Sequence, residues 1–157
     1  MKSFKHLFVG TAICSLALFS ACNKDNCQKE DPLVIKKELE ISPGQEVPPV
    51  PSKAFGKMDV TYDKKSHMLT YSISWSNLTG NPIGSHIHGA GPRGVNRPVR
   101  HDFTSLIPKT PSGTFKNSVL VDGVSIKEDS LLKGFYYLNI HTTLFPAGEI
   151  RGQIEFK

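Results

Sequence analysis

Ser85-His86-Ile87-His88-Gly89 and Asn139-Ile140-His141-Thr142 hold the residues of this chain best suited to chemistry. In a strand, successive side chains point to opposite faces, so His86 and His88 share one. Two such imidazoles sit roughly 6–7 Å apart and can converge on one ion or one polar partner. His141 lies on a second strand-like run. Three imidazoles are enough to hold zinc or copper, with a fourth position open or filled by water. The same rings can equally form a metal-free polar cluster, bonded to Asn139, Thr142 or Glu149, that orders the ends of strands.

Other constellations are weak. Gly89-Ala90-Gly91-Pro92-Arg93-Gly94 matches G-x-G-x-x-G. A dinucleotide site, however, needs that motif to open a helix within a βαβ unit. Here prolines 92 and 98 mark a loop between two β-like runs, whose glycines allow close passage to the histidines. No serine lies in a G-x-S-x-G turn, and no acid pair suggests general acid–base work. Asn77-Leu78-Thr79 is a sequon without a setting, given the bacterial-type leader described next.

The elements that position the histidines come after that leader. Lys2, Lys5 and His6 form a basic start, and Leu7 to Phe19 an apolar run too short to span a bilayer. Leu18-Phe19-Ser20-Ala21-Cys22 reads as a lipoprotein cleavage site. The expectation is a signal peptide over 1–21, lipid on Cys22 and a polar tether over 22–32. The alternative is an ordinary secretory signal cut near Ala21. Either way the protein is exported, and the lipid form is held at the cell envelope by its membrane anchor. Cys14 falls in the leader and Cys22 under lipid, so Cys27 is left alone in the tether and no disulfide framework is expected. A mobile tether cannot hold a base beside Cys27, which argues against catalysis there.

The formal charge is +5, and removing Lys2 and Lys5 with the leader leaves +3. No dense Lys/Arg block remains, so a nucleic-acid partner is not expected. Residues 33–157 read as one all-β domain. Leu33, Ile35, Leu39 and Ile41 suggest a first strand with one inward face. Met58, Val60 and Tyr62 alternate with polar residues, as do Leu69, Tyr71, Ile73 and Trp75. Tyr71 and Trp75 belong to the core. Val99–Phe103, Thr114–Val121, Phe135–His141 and Glu149–Phe156 complete the set, with one short helix over Ser125–Lys133 closed by Gly134. Tyr136 and Tyr137 point to opposite faces, which predicts one exposed tyrosine.

Taken jointly, EVPPV (Glu46 to Val50), HIHG (86–89), NIHT (139–142) and GEIRGQI (148–154) resemble the CHRD domain, over about Leu33 to Phe156. That domain is named for chordin and is also found in bacterial proteins. The resemblance implies an immunoglobulin-like Greek-key β-sandwich or barrel of about eight strands, similar to Cu/Zn superoxide dismutase. The dismutase carries an H-x-H pair and a late copper-ligating histidine. His86 and His88 match the pair, and His141 matches the late one. Only His101 and Asp102 stand where its bridging and zinc ligands would fall, too few for two metals. His101 and Arg151 are accessory candidates, Arg151 near the position of a substrate-guiding arginine. The expected role is a binding module at the cell envelope, with one copper or zinc ion on the three histidines as an option beside the metal-free cluster. A degenerate redox enzyme and a purely structural or adhesive domain are the alternatives.

Overall fold

The computed structural model describes residues 31–157. The strands are β1 (Leu33–Ile41), β2 (Phe55–Asp63), β3 (Met68–Ser76), β4 (Gly84–Gly89), β5 (Val99–Asp102), β6 (Gly113–Leu120), β7 (Tyr136–His141) and β8 (Ile150–Ile154). A 3-10 turn at Pro43–Gln45 and the helix α1 (Glu128–Leu132) complete the elements. All strand pairs are antiparallel. One sheet runs β1-β2-β3-β6 and the other β5-β4-β7-β8, so the domain is a two-layer sandwich and not a closed barrel. The chain changes sheet after β3, after β5 and after β6, the last time through α1.

The alternation read in β2 and β3 produces one wall of the core. Met58, Val60, Tyr62, Leu69, Tyr71, Ile73 and Trp75 are buried, while Ser72 and Ser74 face solvent. The opposite wall comes from Ile87, Leu138, Ile140, Ile150 and Ile154. Trp75 keeps its indole N–H satisfied on the carbonyl of Thr110 at 3.0 Å, as a buried donor requires.

β1 departs from the single inward face expected of it. Leu33 and Ile35 are exposed, whereas Ile41 is fully buried. The pairing shifts between Lys36 and Leu39, where Lys37 and Glu38 on β1 stand against Asp59 alone on β2, and Glu38 takes a left-handed φ of 58°. One extra residue inverts every later side chain. The helix is shorter than expected because Asp122 intervenes. Its carboxylate accepts the backbone N–H groups of Val124, Ser125 and Ile126, holding them in a loop ahead of α1.

Tyr136 and Tyr137 do face opposite ways, yet both are buried. The expected surface tyrosine is absent because the second sheet is covered on both sides. Its inner face meets the core. Loops 43–50, 89–98 and 142–149 close over its outer face. Backbone bonds between Ser42 and Arg151, at 2.9 and 3.1 Å, fasten the first of these loops to β8.

Candidate metal centre

Register places the polar residues of the second sheet in rows. His86 opposes Asn139, which opposes Arg151, and His88 opposes Tyr137, which opposes Gln153. His141 opposes Gly84 at the end of β4. All of these side chains point to the outer face, and except for His86 and Gly84 they form a buried polar layer beneath the loops. Gly84 makes the end row passable: a Cβ there would stand 3.1 Å from both the His86 and the His141 rings.

The structure brings His86, His88 and His141 together. One ring nitrogen of each lies within 4.8 Å of the other two. His86 Nδ1 is 3.0 Å from His141 Nε2. Metal arms of about 2.0–2.1 Å put tetrahedral donors about 3.3 Å apart, within that spread.

Two backbone carbonyls decide the tautomers. His88 Nδ1 faces the oxygen of Arg97 at 2.7 Å, and His141 Nδ1 faces that of Pro146 at 3.0 Å. A carbonyl only accepts, so both Nδ1 atoms carry the hydrogen and both Nε2 atoms present a bare lone pair. Those two Nε2 atoms lie 3.1 and 3.0 Å from one oxygen, Asn139 Oδ1. Three acceptors therefore face one another. A cation among them relieves this, as does an Asn139 amide turned so that its NH2 group donates to both rings, and His86 Nδ1, when it carries the hydrogen, can donate to His141 Nε2. Ligating imidazoles commonly donate their second N–H to a carbonyl, as these two do.

His86 is the ring nearest solvent, its side chain 19% exposed. Its Nε2 lies 3.8 Å from the Asp102 carboxylate and 3.4 Å from the Thr104 hydroxyl. Burial holds His86, His88 and His141 below the usual imidazole pKa, with Asp102 partly offsetting this at His86. Neutral rings are the form a metal needs.

The accessory candidates do not join the triad. His101 opposes Ile87 and so lies on the other face of the sheet, where its Nε2 meets the Tyr71 hydroxyl at 3.1 Å. Arg151 shares the outer face but lies over the Tyr137 ring, its guanidinium carbon 3.4 Å from the centroid. It donates to Val95 O and Asn96 Oδ1, both at 3.1 Å. The same Tyr137 ring stacks on His88 at 4.8 Å. Thr142 and Glu149, named above as partners of the imidazoles, bond each other instead, and of the three only Asn139 reaches the histidines. The Arg97 and Pro146 carbonyls were not foreseen, since a backbone oxygen leaves no mark in residue type. Cys22 and Cys27 lie outside the described residues.

The fold and site together define a two-sheet β-sandwich with three converging histidines on a loop-covered sheet face. The CHRD-domain family model matches residues 38–154, and the chain belongs to that family. No curated protein and no solved structure matches it.

Acid should destabilise the metal-free domain. Burial depresses His101 as well as the three clustered rings. Below about pH 6.5 the unfolded chain takes up protons that the folded imidazoles refuse. Their contribution is therefore complete above that pH and is lost as pH falls through their lowered values. Glu46 acts in the opposite sense. Burial pushes it up from 4.5 to about 7, against the pull of Arg151, so its contribution is present below 4.5 and lost as pH rises through 7. Urea unfolding in chelator between pH 4.5 and 7.5 should show stability falling with acid, more steeply in Glu46→Gln. An unchanged or shallower slope in that variant would contradict this assignment.

Proposed function

We propose that this CHRD domain is a binding module of the cell envelope that holds one transition-metal ion, zinc or copper, on His86, His88 and His141. One observation carries the reading: two carbonyls hold the Nδ1–H groups of His88 and His141, leaving bare Nε2 atoms turned inward beside His86. Imidazole donors suit both metals. A bound zinc supplies a Lewis-acid centre, and a bound copper a redox couple. The chain's own residues supply the rest. The carbonyls orient two rings, burial keeps all three neutral, and partly exposed His86 leaves a way in.

A second reading is a structural cluster without an ion, favoured by the placement of Asn139 between His88 and His141. The dismutase-like redox reading has less support, because His101 faces away from the triad. Melting curves of wild type and His88→Ala, each in chelator and in zinc or copper, separate the first two. Metal binding predicts a wild-type midpoint that rises with metal, since a ligand of the native state stabilises it, and a variant that does not respond. A wild type indifferent to metal, beside a variant weakened by about 1–3 kcal/mol in chelator, would leave only the structural cluster.

The envelope location rests on the residue order of the leader alone. It predicts that mature protein partitions into membranes through a lipidated Cys22 and that Cys22→Ala is released or unprocessed. Fractionation with mass spectrometry of the N-terminus decides this. An unmodified start at Cys22 or downstream would refute the anchor.

A further inference from the structure

A cavity of about 420 Å³ lies beside the polar layer. Glu46, Val47 and Pro49 line it from the loop after β1, Arg93 from the loop after β4, and Arg151 and Gln153 from β8. Its size falls within the roughly 300–1,000 Å³ of small-molecule sites. The walls are fixed. Glu46 N–H donates to Pro43 O at 3.2 Å, Asn96 Nδ2 to Val47 O at 2.8 Å, and Gln153 Nε2 to Gly134 O at 2.7 Å.

One group in this wall is unexplained. Glu46 is only 6% exposed, and its Oε1 is buried with no hydrogen-bond partner. Buried carboxylate oxygens without a donor are rare in folded proteins, and since Oε1 is packed against Gly148, a molecule in the cavity can meet this carboxyl only at Oε2. The chain also makes room for this carboxyl. A Cβ at position 148 would fall 2.3 Å from Oε1, and Gly148 has a φ of +135°, a region L side chains avoid. Glu46 is thus seated deliberately, with Arg151 the basic group that acts on it.

Charge narrows the ligand. Arg93 is already held by both oxygens of Glu155, at 2.7 and 2.9 Å, and by Gln45 at 2.6 Å. Arg151 faces Glu46. Acid and base therefore balance around the cavity. A cation would meet the Arg93 and Arg151 guanidinium groups, and an anion the Glu46 carboxyl, with the charge of Arg93 already met by Glu155 outside the lining. A hydroxyl suits such a wall, because it donates to a carboxyl while accepting from a guanidinium. Val47 and Pro49 offer an apolar side for carbon-bound hydrogens.

We propose that this cavity binds a neutral polyhydroxylated small molecule, a sugar or polyol, with one hydroxyl on the Glu46 carboxyl and an oxygen facing Arg151. The site uses none of the three histidines and stands apart from the metal reading.

The test is an NMR titration of ¹⁵N-labelled full chain with glucose, N-acetylglucosamine and inositol, and separately with acetate and methylammonium. At least one neutral probe should shift the Gly148 backbone amide and the Gln45 and Gln153 side-chain amides saturably. Glu46→Gln should weaken that binding at least tenfold. Gly44→Trp should abolish it, since Gly44 lines the cavity and its Cβ position meets nothing within 4 Å. If Glu46→Gln misfolds, Gly44→Trp decides alone. Absence of saturable shifts with all three neutral probes, tighter binding of acetate or methylammonium, or wild-type binding by a folded variant overturns the proposal.

Discussion

Glu149→Ala lowers the unfolding free energy by about 3–5 kcal/mol, the largest loss expected from any single carboxyl in the domain. Glu149 is fully buried. Its Oε1 accepts from the Ser52 hydroxyl at 2.6 Å and from the Thr79 N–H at 3.0 Å. Its Oε2 accepts from the hydroxyls of Thr79 at 2.9 Å and Thr142 at 2.6 Å. One side chain thus ties together the segment before β2, the loop after β3 and the segment after β7. Truncation strands the buried Thr142 hydroxyl, at about 1–3 kcal/mol when unmet, and removes the charge-assisted bonds of the part-buried Ser52 and Thr79 donors as well. Glu149→Gln should lose less, because one oxygen remains while the amide nitrogen meets a donor. Urea unfolding measures both. A loss below about 1 kcal/mol in Glu149→Ala would show that these donors find water or other partners.

Arg151→Ala follows, with an expected loss of about 2–4 kcal/mol from two hydrogen bonds, the stack on Tyr137 and an uncompensated Glu46. Arg151 is 1% exposed. Lysine keeps the charge but not the flat fork, so Arg151→Lys should recover less than half of the loss. The loss should shrink when Glu46 is already glutamine, because Arg151 and Glu46 act on each other. Unfolding of the two single variants and the double variant supplies the cycle. Strict additivity, together with a harmless Arg151→Lys, would reduce Arg151 to filler.

The strands of this fold were legible where one face meets the core and the other meets water. β2 and β3 satisfy that condition, and their alternation maps directly onto burial. The second sheet does not. Its outer face is polar and yet buried, so the pattern of His86, His88, Tyr137, Asn139 and Arg151 looks like a solvated face until the loops are in place. For that reason the expected surface tyrosine was wrong. The bulge at Glu38 was equally hidden, since nothing in Lys36-Lys37-Glu38-Leu39 announces a left-handed residue.

The triad was legible because strand period and residue type act together: His86 and His88 share a face wherever β4 lies. His101 is the converse case. Its position along the chain resembles a ligand's, but pairing with Ile87 turns it toward Tyr71. Glu149 is chemically like Glu46 and lies near the site in sequence. Only their surroundings, four donors for one and none for an oxygen of the other, separate a structural acid from a candidate binding group.

The most direct measurement of the central claim is metal content after equilibrium dialysis against zinc or copper near pH 7.5. Wild type should be compared with the variant carrying His86→Ala, His88→Ala and His141→Ala together. A single site predicts close to one ion retained per wild-type chain and almost none in the triple variant, with retention fading as pH drops through the imidazole range. Wild type that retains no more metal than the triple variant would contradict the metal centre and leave the three histidines as a hydrogen-bonded support for the sheet.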